Sequence, residues 1–231
     1  NFRYNKDAPL VLNDISLRLR SGEYVAFVGA SGSGKSTLVR LLLGFEKPEV
    51  GSIFYDNQDL NKLDLRLVRR QIGVVLQDGQ LTPGDIFSNI VGSSPQLTMD
   101  DAWDAAKMAA FDEDIKQMPM GMHTIISEGG STLSGGQKQR LLIARTLVHK
   151  PRIVIFDEAT SALDNRTQAV ITESLNKLQA TRIVIAHRLS TIKNVDKIFV
   201  FDQGRLAQVG TYEELLNKEG LFKDLATRQL A

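Results

Sequence analysis

Apolar positions along the chain follow two periods, and the switches between them outline its elements. Tyr24-Val25-Ala26-Phe27-Val28 is a short unbroken apolar run, the pattern of a strand covered on both faces. Residues 72–76 read the same way and stop at Gln77, and β character returns at 153–156, 182–186 and 197–201. Residues 2–4, 15–19 and 52–55 alternate apolar with polar, as half-buried strands do. Helical spacing follows Ser36 through Leu43 and again from Gln137 to His149, where Pro151 halts it. Thr98-Met99-Asp100-Asp101 and Thr211-Tyr212-Glu213-Glu214 are capping boxes, the first opening a helix through Ala110. Asp164 can cap a helix between the strands at 153–156 and 182–186, and Asp202-Gln203-Gly204 is a hairpin turn. Strands and helices thus form a core interrupted, from about residue 78, by a mostly helical insert. There is no internal repeat.

Composition narrows the picture mainly by exclusion. The chain has 231 residues, enough for one large domain with an inserted subdomain, and its 42% apolar share can build a core. Lys and Arg total 28 against 27 Asp and Glu, so no global field favours nucleic acid or an anionic membrane. Without cysteine there is no disulfide framework and no thiol chemistry. No stretch reaches the ~20 apolar residues of a membrane helix, and no signal peptide is visible. The start inside a strand-like run reads as an excised domain.

Between the apolar run at 24–28 and the helix beyond Ser36 lies Gly29-Ala30-Ser31-Gly32-Ser33-Gly34-Lys35-Ser36-Thr37. This fits G-x-x-x-x-G-K-[ST] in the strand–loop–helix setting that motif requires. Glycines let successive N–H groups turn inward around phosphate oxygens, and the helix start adds its dipole. Lys35 should reach the β- and γ-phosphates of a nucleotide and the Ser36 hydroxyl should hold Mg²⁺. The plainer alternative is a glycine-rich turn beside a lysine. A second candidate is the strand Ile153-Val154-Ile155-Phe156, which ends in Asp157-Glu158. Acidic residues commonly follow strands, so alone this pattern decides little. Beside a phosphate loop it gives Asp157 as Mg²⁺ partner, directly or through water, and Glu158 as general base toward the attacking water.

Leu133-Ser134-Gly135-Gly136-Gln137 places two glycines before a helix, a second anion-binding terminus. The pentapeptide, continued by Lys138-Gln139-Arg140 and Ala144-Arg145, resembles the signature of the ATP-binding cassette ATPases. The order of motifs is similar too: phosphate loop, Gln77, signature, Asp157-Glu158, Ser161-Ala162-Leu163-Asp164 and a histidine, His187, at a strand end. The resemblance covers essentially the whole chain. Phe2-Arg3-Tyr4, the wording from Glu158 to Asp164 and Ala186-His187-Arg188-Leu189-Ser190 look like the exporter branch. Gln77 to Ile90 and Glu219-Gly220-Leu221-Phe222 look similar to bacterial peptide and bacteriocin exporters.

That resemblance implies an α/β fold: a P-loop core at 1–77 and 146–231 with a peripheral antiparallel sheet, and a helical subdomain at 78–145. It implies ATP with Mg²⁺, Tyr4 stacked on adenine, and phosphates cradled by Gly29, Ser31, Gly32, Ser33, Gly34, Lys35, Ser36 and Thr37. Gln77 would face Mg²⁺ and water, and His187 would bridge the γ-phosphate, water and Glu158. Two copies would pair head to tail, with Ser134, Gly136, Gln137 and Asp164 completing the partner's site. The domain would sit at the cytoplasmic face of the membrane, driven against a transmembrane domain fused ahead of it. Residues 77–89, including Leu81 and Phe87, and a loop at Ser127-Glu128-Gly129-Gly130 would face that domain. A soluble cassette ATPase of DNA repair or translation and an importer subunit are the alternatives. His123 and His149 match nothing and read as surface residues; Arg66, Arg69 and Arg70 read as a polar helix face, and Asn61-Lys62-Leu63-Asp64 as a solvated loop.

Overall fold

A computed structural model describes residues 1–76, 79–127, 132–157, 163–186 and 192–230, with 228–230 described by their backbone alone. The chain divides into two compact units, Asn1–Ile72 with Thr181–Ala231, and Gly73–Ala180.

The first unit is built on β1 (Tyr24–Val28), whose Val25, Ala26 and Phe27 have no exposed surface. A strand buried on both faces needs neighbours on both edges. β1 pairs in parallel with β8 (Thr181–Ile185) and with β9 (Lys197–Asp202), and β9 pairs antiparallel with β10 (Arg205–Gly210). Phe27 meets Phe199 and Phe201 edge-on at 5.9 and 5.3 Å, which welds β1 to β9. The expected turn joins β9 to β10, with Gln203 and Gly204 both at positive φ, the geometry that matches strand twist. Asp56 and Asn57 do the same between β2 (Phe54–Tyr55) and β3 (Gln58–Asp59). Helices α1 (Lys35–Leu42), α2 (Leu65–Arg70), α8 (Tyr212–Asn217) and α9 (Leu221–Leu230) complete the unit. The expected strand at 15–19 is not formed. Its alternation is real, with Ile15, Leu17 and Leu19 half-buried between exposed residues, but a strand also needs a partner and none is paired with it among the described residues. The strand at 2–4 reduces to one antiparallel bridge, Phe2 to Leu12.

The second unit centres on α6 (Gly135–Leu147), whose Leu141, Ile143, Ala144 and Leu147 are fully buried. It packs on α3 (Ile86–Val91) and α4 (Met99–Met108). β4 (Ile72–Val75) pairs with β7 (Ile153–Asp157), and α6 lies close over β4. A Cβ on Gly73 would come within 2.4 Å of the Thr146 methyl, so only glycine allows that approach. The unit also holds β5 (Gly84–Asp85) paired with β6 (Ile125–Ile126), α5 (Asp112–Gln117) and α7 (Asn165–Lys177). No helix among the described residues is long and apolar enough to cross a membrane.

Two surface expectations change. Arg69 is no free polar face: its Nε and Nη2 donate to the carbonyls of Leu43 and Gly44 at 2.8 and 2.9 Å, closing the end of α1, and its guanidinium stacks on Phe45. Leu81, expected to face a membrane domain, is only 4% exposed and belongs to the core. The segment 61–64 is ordered, Asp64 capping α2 through the Arg66 N–H. His123 and His149 are exposed as expected, although His123 is not idle: its Nδ1 lies 2.9 Å from Asp85 Oδ2.

Candidate nucleotide site

The glycine-rich loop leaves the carboxyl end of β1 and enters α1. In parallel sheets that edge is where ligands collect. Gly29 passes so close to β9 that a Cβ would meet the Phe201 carbonyl oxygen at 2.3 Å and Ser33 Oγ at 2.7 Å. Gly34 serves as N-cap of α1 at φ 100°, a left-handed position, and gives no side-chain bond to the helix start. Its own Cβ position is occupied by Leu12, 2.5 Å away. The turn at Gly204 props the loop from beneath, its N–H donating to the Ser33 carbonyl and its carbonyl accepting from Asn13. By contrast Gly32 needs glycine only for its φ of 78°, since nothing lies within 4 Å.

Lys35 is buried at 5% exposure and folded back into this loop. Its ammonium donates to the carbonyls of Gly29 and Ala30, each at 2.9 Å, and to Ser33 Oγ at 3.1 Å. Ser31 and Ser36 are exposed, while Thr37 is buried and meets the Tyr4 hydroxyl at 3.1 Å. Tyr4 is therefore tethered to α1 at its hydroxyl end and steadied edge-on by Phe2, yet 49% exposed.

In the second unit, Asp157 ends β7 half-buried. Asp164 caps α7, accepting from the Thr167 N–H at 3.0 Å and its hydroxyl at 2.8 Å; these bonds hold its carboxyl below the ordinary aspartate value. The start of α6 is closed by a capping box that the spacing Ser-x-x-Gln could have announced. Ser134 Oγ accepts from the Gln137 N–H at 3.2 Å, and Gln137 Oε1 accepts from the Ser134 N–H at 3.0 Å. Because Gln137 takes the third helical position, α6 begins two residues before the expected start. Its Nε2 donates to Asp114 at 2.9 Å, and Asp114 pairs with Arg140 at 2.8 Å, so the signature is braced against α5. Ser134 and Gly135 remain exposed, and a Cβ on Gly135 or Gly136 would meet nothing within 4 Å among the described residues. Gln77, Glu128 to Gly130, Glu158, Ser161, Ala162 and His187 lie outside the described residues.

The phosphate loop, the aspartate-ended strand and the braced signature helix agree with the comparisons. A family profile described as "ABC transporter" matches residues 12–161. The leukotoxin translocation ATP-binding protein LktB of Mannheimia haemolytica is 47% identical over 99% of this chain, as is that of Bibersteinia trehalosi.

The chain belongs to the ABC transporter family.

Its structure matches that of a bacterial Atm1-family ABC exporter with ATP bound, with a TM-score of 0.93 at 43% identity, over all of this chain and 40% of the other. The α/β P-loop fold of an ABC exporter's ATP-binding domain is therefore the fold of this chain. It spans about a third of the length of the curated relatives it matches. The residues missed in the sequence are those that hold the motifs in place: Gly204 under the loop, Arg69 at the end of α1, and Asp114 behind the signature. Each acts through a contact distant in sequence, which local spacing does not display.

Proposed function

We propose that this chain binds and hydrolyses ATP to drive export across a membrane, and that its cargo is peptide or protein. The relatives named for leukotoxin translocation support that cargo class. Within this reading, residues 1–77 and 146–231 form the catalytic core, and 78–145 the helical subdomain. Tyr4 supplies an adenine platform, and the N–H groups from Gly29 to Thr37 with Lys35 take the phosphates. Ser36, Gln77 and Asp157 would hold Mg²⁺. Hydroxyl, carboxamide and carboxylate oxygens are the hard donors that ion takes, and the exposed Ser36 stands at a helix start with no side-chain cap. Bound there, the ion offsets phosphate charge. Glu158 acts as base toward water and His187 orients that water.

One observation carries the pairing of two copies. Gly135 and Gly136 open a helix with space where their Cβ atoms would be, and neither has a positive φ. Nothing among the described residues requires glycine there, although glycine has lower helix propensity than alanine. A group from outside explains them. A single chain offers one γ-phosphate to two phosphate-binding helix starts, so the second start reads the nucleotide of a second copy. Asp164 closes the family motif Ser161-Ala162-Leu163-Asp164 and takes part in that interface. The assembly sits at the cytoplasmic face of a membrane, joined to a transmembrane domain. The test is steady-state phosphate release from MgATP by the purified chain. Turnover per molecule that rises with protein concentration supports paired copies; turnover independent of concentration contradicts them.

A further inference from the structure

One arginine ties the segment after residue 79 to the signature helix. Arg145 lies ten residues into α6, about 15 Å along the axis from its start. Its Nε donates to the Asn89 carbonyl at 2.6 Å, Nη2 to Asn89 Oδ1 at 2.5 Å, and Nη1 to the Gln80 carbonyl at 3.0 Å. Asn89 is completely buried. Its Oδ1 also accepts from the Thr82 N–H at 3.0 Å and hydroxyl at 3.3 Å, and its Nδ2 donates to the carbonyls of Thr82 and Asp85 at 2.9 and 3.0 Å. Gly79 presses on the same helix, where a Cβ would come within 2.7 Å of Leu142.

The chemistry of this cluster is unusual for mere packing. Burial lowers the Arg145 pKa from its ordinary value, a desolvation that its three donated bonds offset. Among the described residues no carboxylate pairs with it, and all three bonds go to neutral oxygens. Cohesion between α3 and α6 does not need it, since Ile86, Ile90, Leu141 and Ile143 are already fully buried. What a planar guanidinium adds is register: three directional bonds from one rigid plane fix where 80–89 stands along α6.

We propose that Arg145 is a positioning residue that makes the segment 80–89 and the outward-facing start of α6 a single rigid body. A displacement of that segment is then delivered to Ser134, Gly135 and Gly136, where the second copy's nucleotide binds. The inference rests on the paired-copy reading above. Arg145 touches no substrate; it acts through the helix it registers.

Two variants of the 231-residue chain test this. Arg145→Lys keeps the charge but offers a point donor in place of the fork. Arg145→Met with Asn89→Leu removes the tie from both sides but also takes a partner from the Thr82 N–H and from the Gln80, Thr82 and Asp85 carbonyls, so it should fold with a lowered thermal midpoint. Three quantities are read: ATP affinity of the dilute protein, thermal midpoint, and the protein concentration giving half-maximal MgATP turnover. Both variants should bind ATP within about twofold of wild type, because the phosphate loop lies in the other compact unit, while the half-maximal concentration rises roughly tenfold. If only the midpoint falls, or if the double variant folds and matches wild type in half-maximal concentration, Arg145 is a packing residue and the proposal is overturned. Wild-type turnover without any concentration dependence would overturn the paired reading itself, and this proposal with it, which separates the two failures.

Discussion

Lys35 holds three oxygens of its own loop, and to grip a nucleotide it must exchange them for phosphate oxygens. Bonds from a charged donor contribute about 1.5–3 kcal/mol, so Lys35→Met should weaken ATP binding roughly 10- to 150-fold. Calorimetry on the dilute chain checks this, and unchanged affinity would remove Lys35 from the phosphate site. The glycines around it are not equivalent. Gly29→Ala drives a methyl into the Phe201 carbonyl and should abolish nucleotide binding, whereas Gly32→Ala meets open space and costs only the left-handed strain of about 1–2 kcal/mol. Equal losses from the two would contradict the loop geometry. The spacing of these glycines was readable in the chain because the loop is local. The reason Gly29 cannot carry a side chain was not, since it lies on a strand some 170 residues further on.

At the scale of elements, helix starts carry both stability and function. Asp101, Asp164 and Glu214 accept backbone N–H bonds at the starts of α4, α7 and α8, and those bonds hold their carboxyls below the ordinary values of 3.8, 3.8 and 4.5. A depressed folded-state value means stability that is present above the ordinary value and is lost as pH falls through the lower, folded one. The variant Asp101→Asn, Asp164→Asn, Glu214→Gln should therefore start from a lower thermal midpoint at neutrality and show a shallower acid limb below about pH 4, converging on wild type in acid. An unchanged limb would show that these caps do not couple to folding. The start of α6 behaves in the opposite sense. Gly135→Ala and Gly136→Ala meet nothing among the described residues and gain helix propensity, so each should raise the thermal midpoint while lowering turnover at limiting protein concentration. A variant gaining both would show that the glycines serve no partner. Capping boxes at Thr98 and Thr211 were legible because they are complete within four residues. The strand at 15–19 was misread for the converse reason: alternation reports which side faces the core, but pairing is a property of two segments.

For the whole molecule, the family and the P-loop fold were legible in the order of the motifs, which depends on sequence alone. The two-unit division at Ile72 and Thr181 was not, because it follows from which helices pack on which strands. Nor was the tie from Arg145 to Asn89, 56 residues apart in the chain. The central claim is that each chain holds half of two nucleotide sites, its phosphate loop for one and the start of α6 for the other. Slowing hydrolysis should trap the pair, because the γ-phosphate then stays between the copies. Weak pairing is expected of the 231-residue chain by itself, so the measurement belongs at high protein concentration. Light scattering of Glu158→Gln with MgATP is the most direct test. The predicted result is a dimer that forms with ATP, dissolves without it, and is lost when Ser134→Arg is added while ATP binding by the monomer persists. A Glu158→Gln chain that stays monomeric with MgATP, or a double variant that still dimerises, would contradict the account.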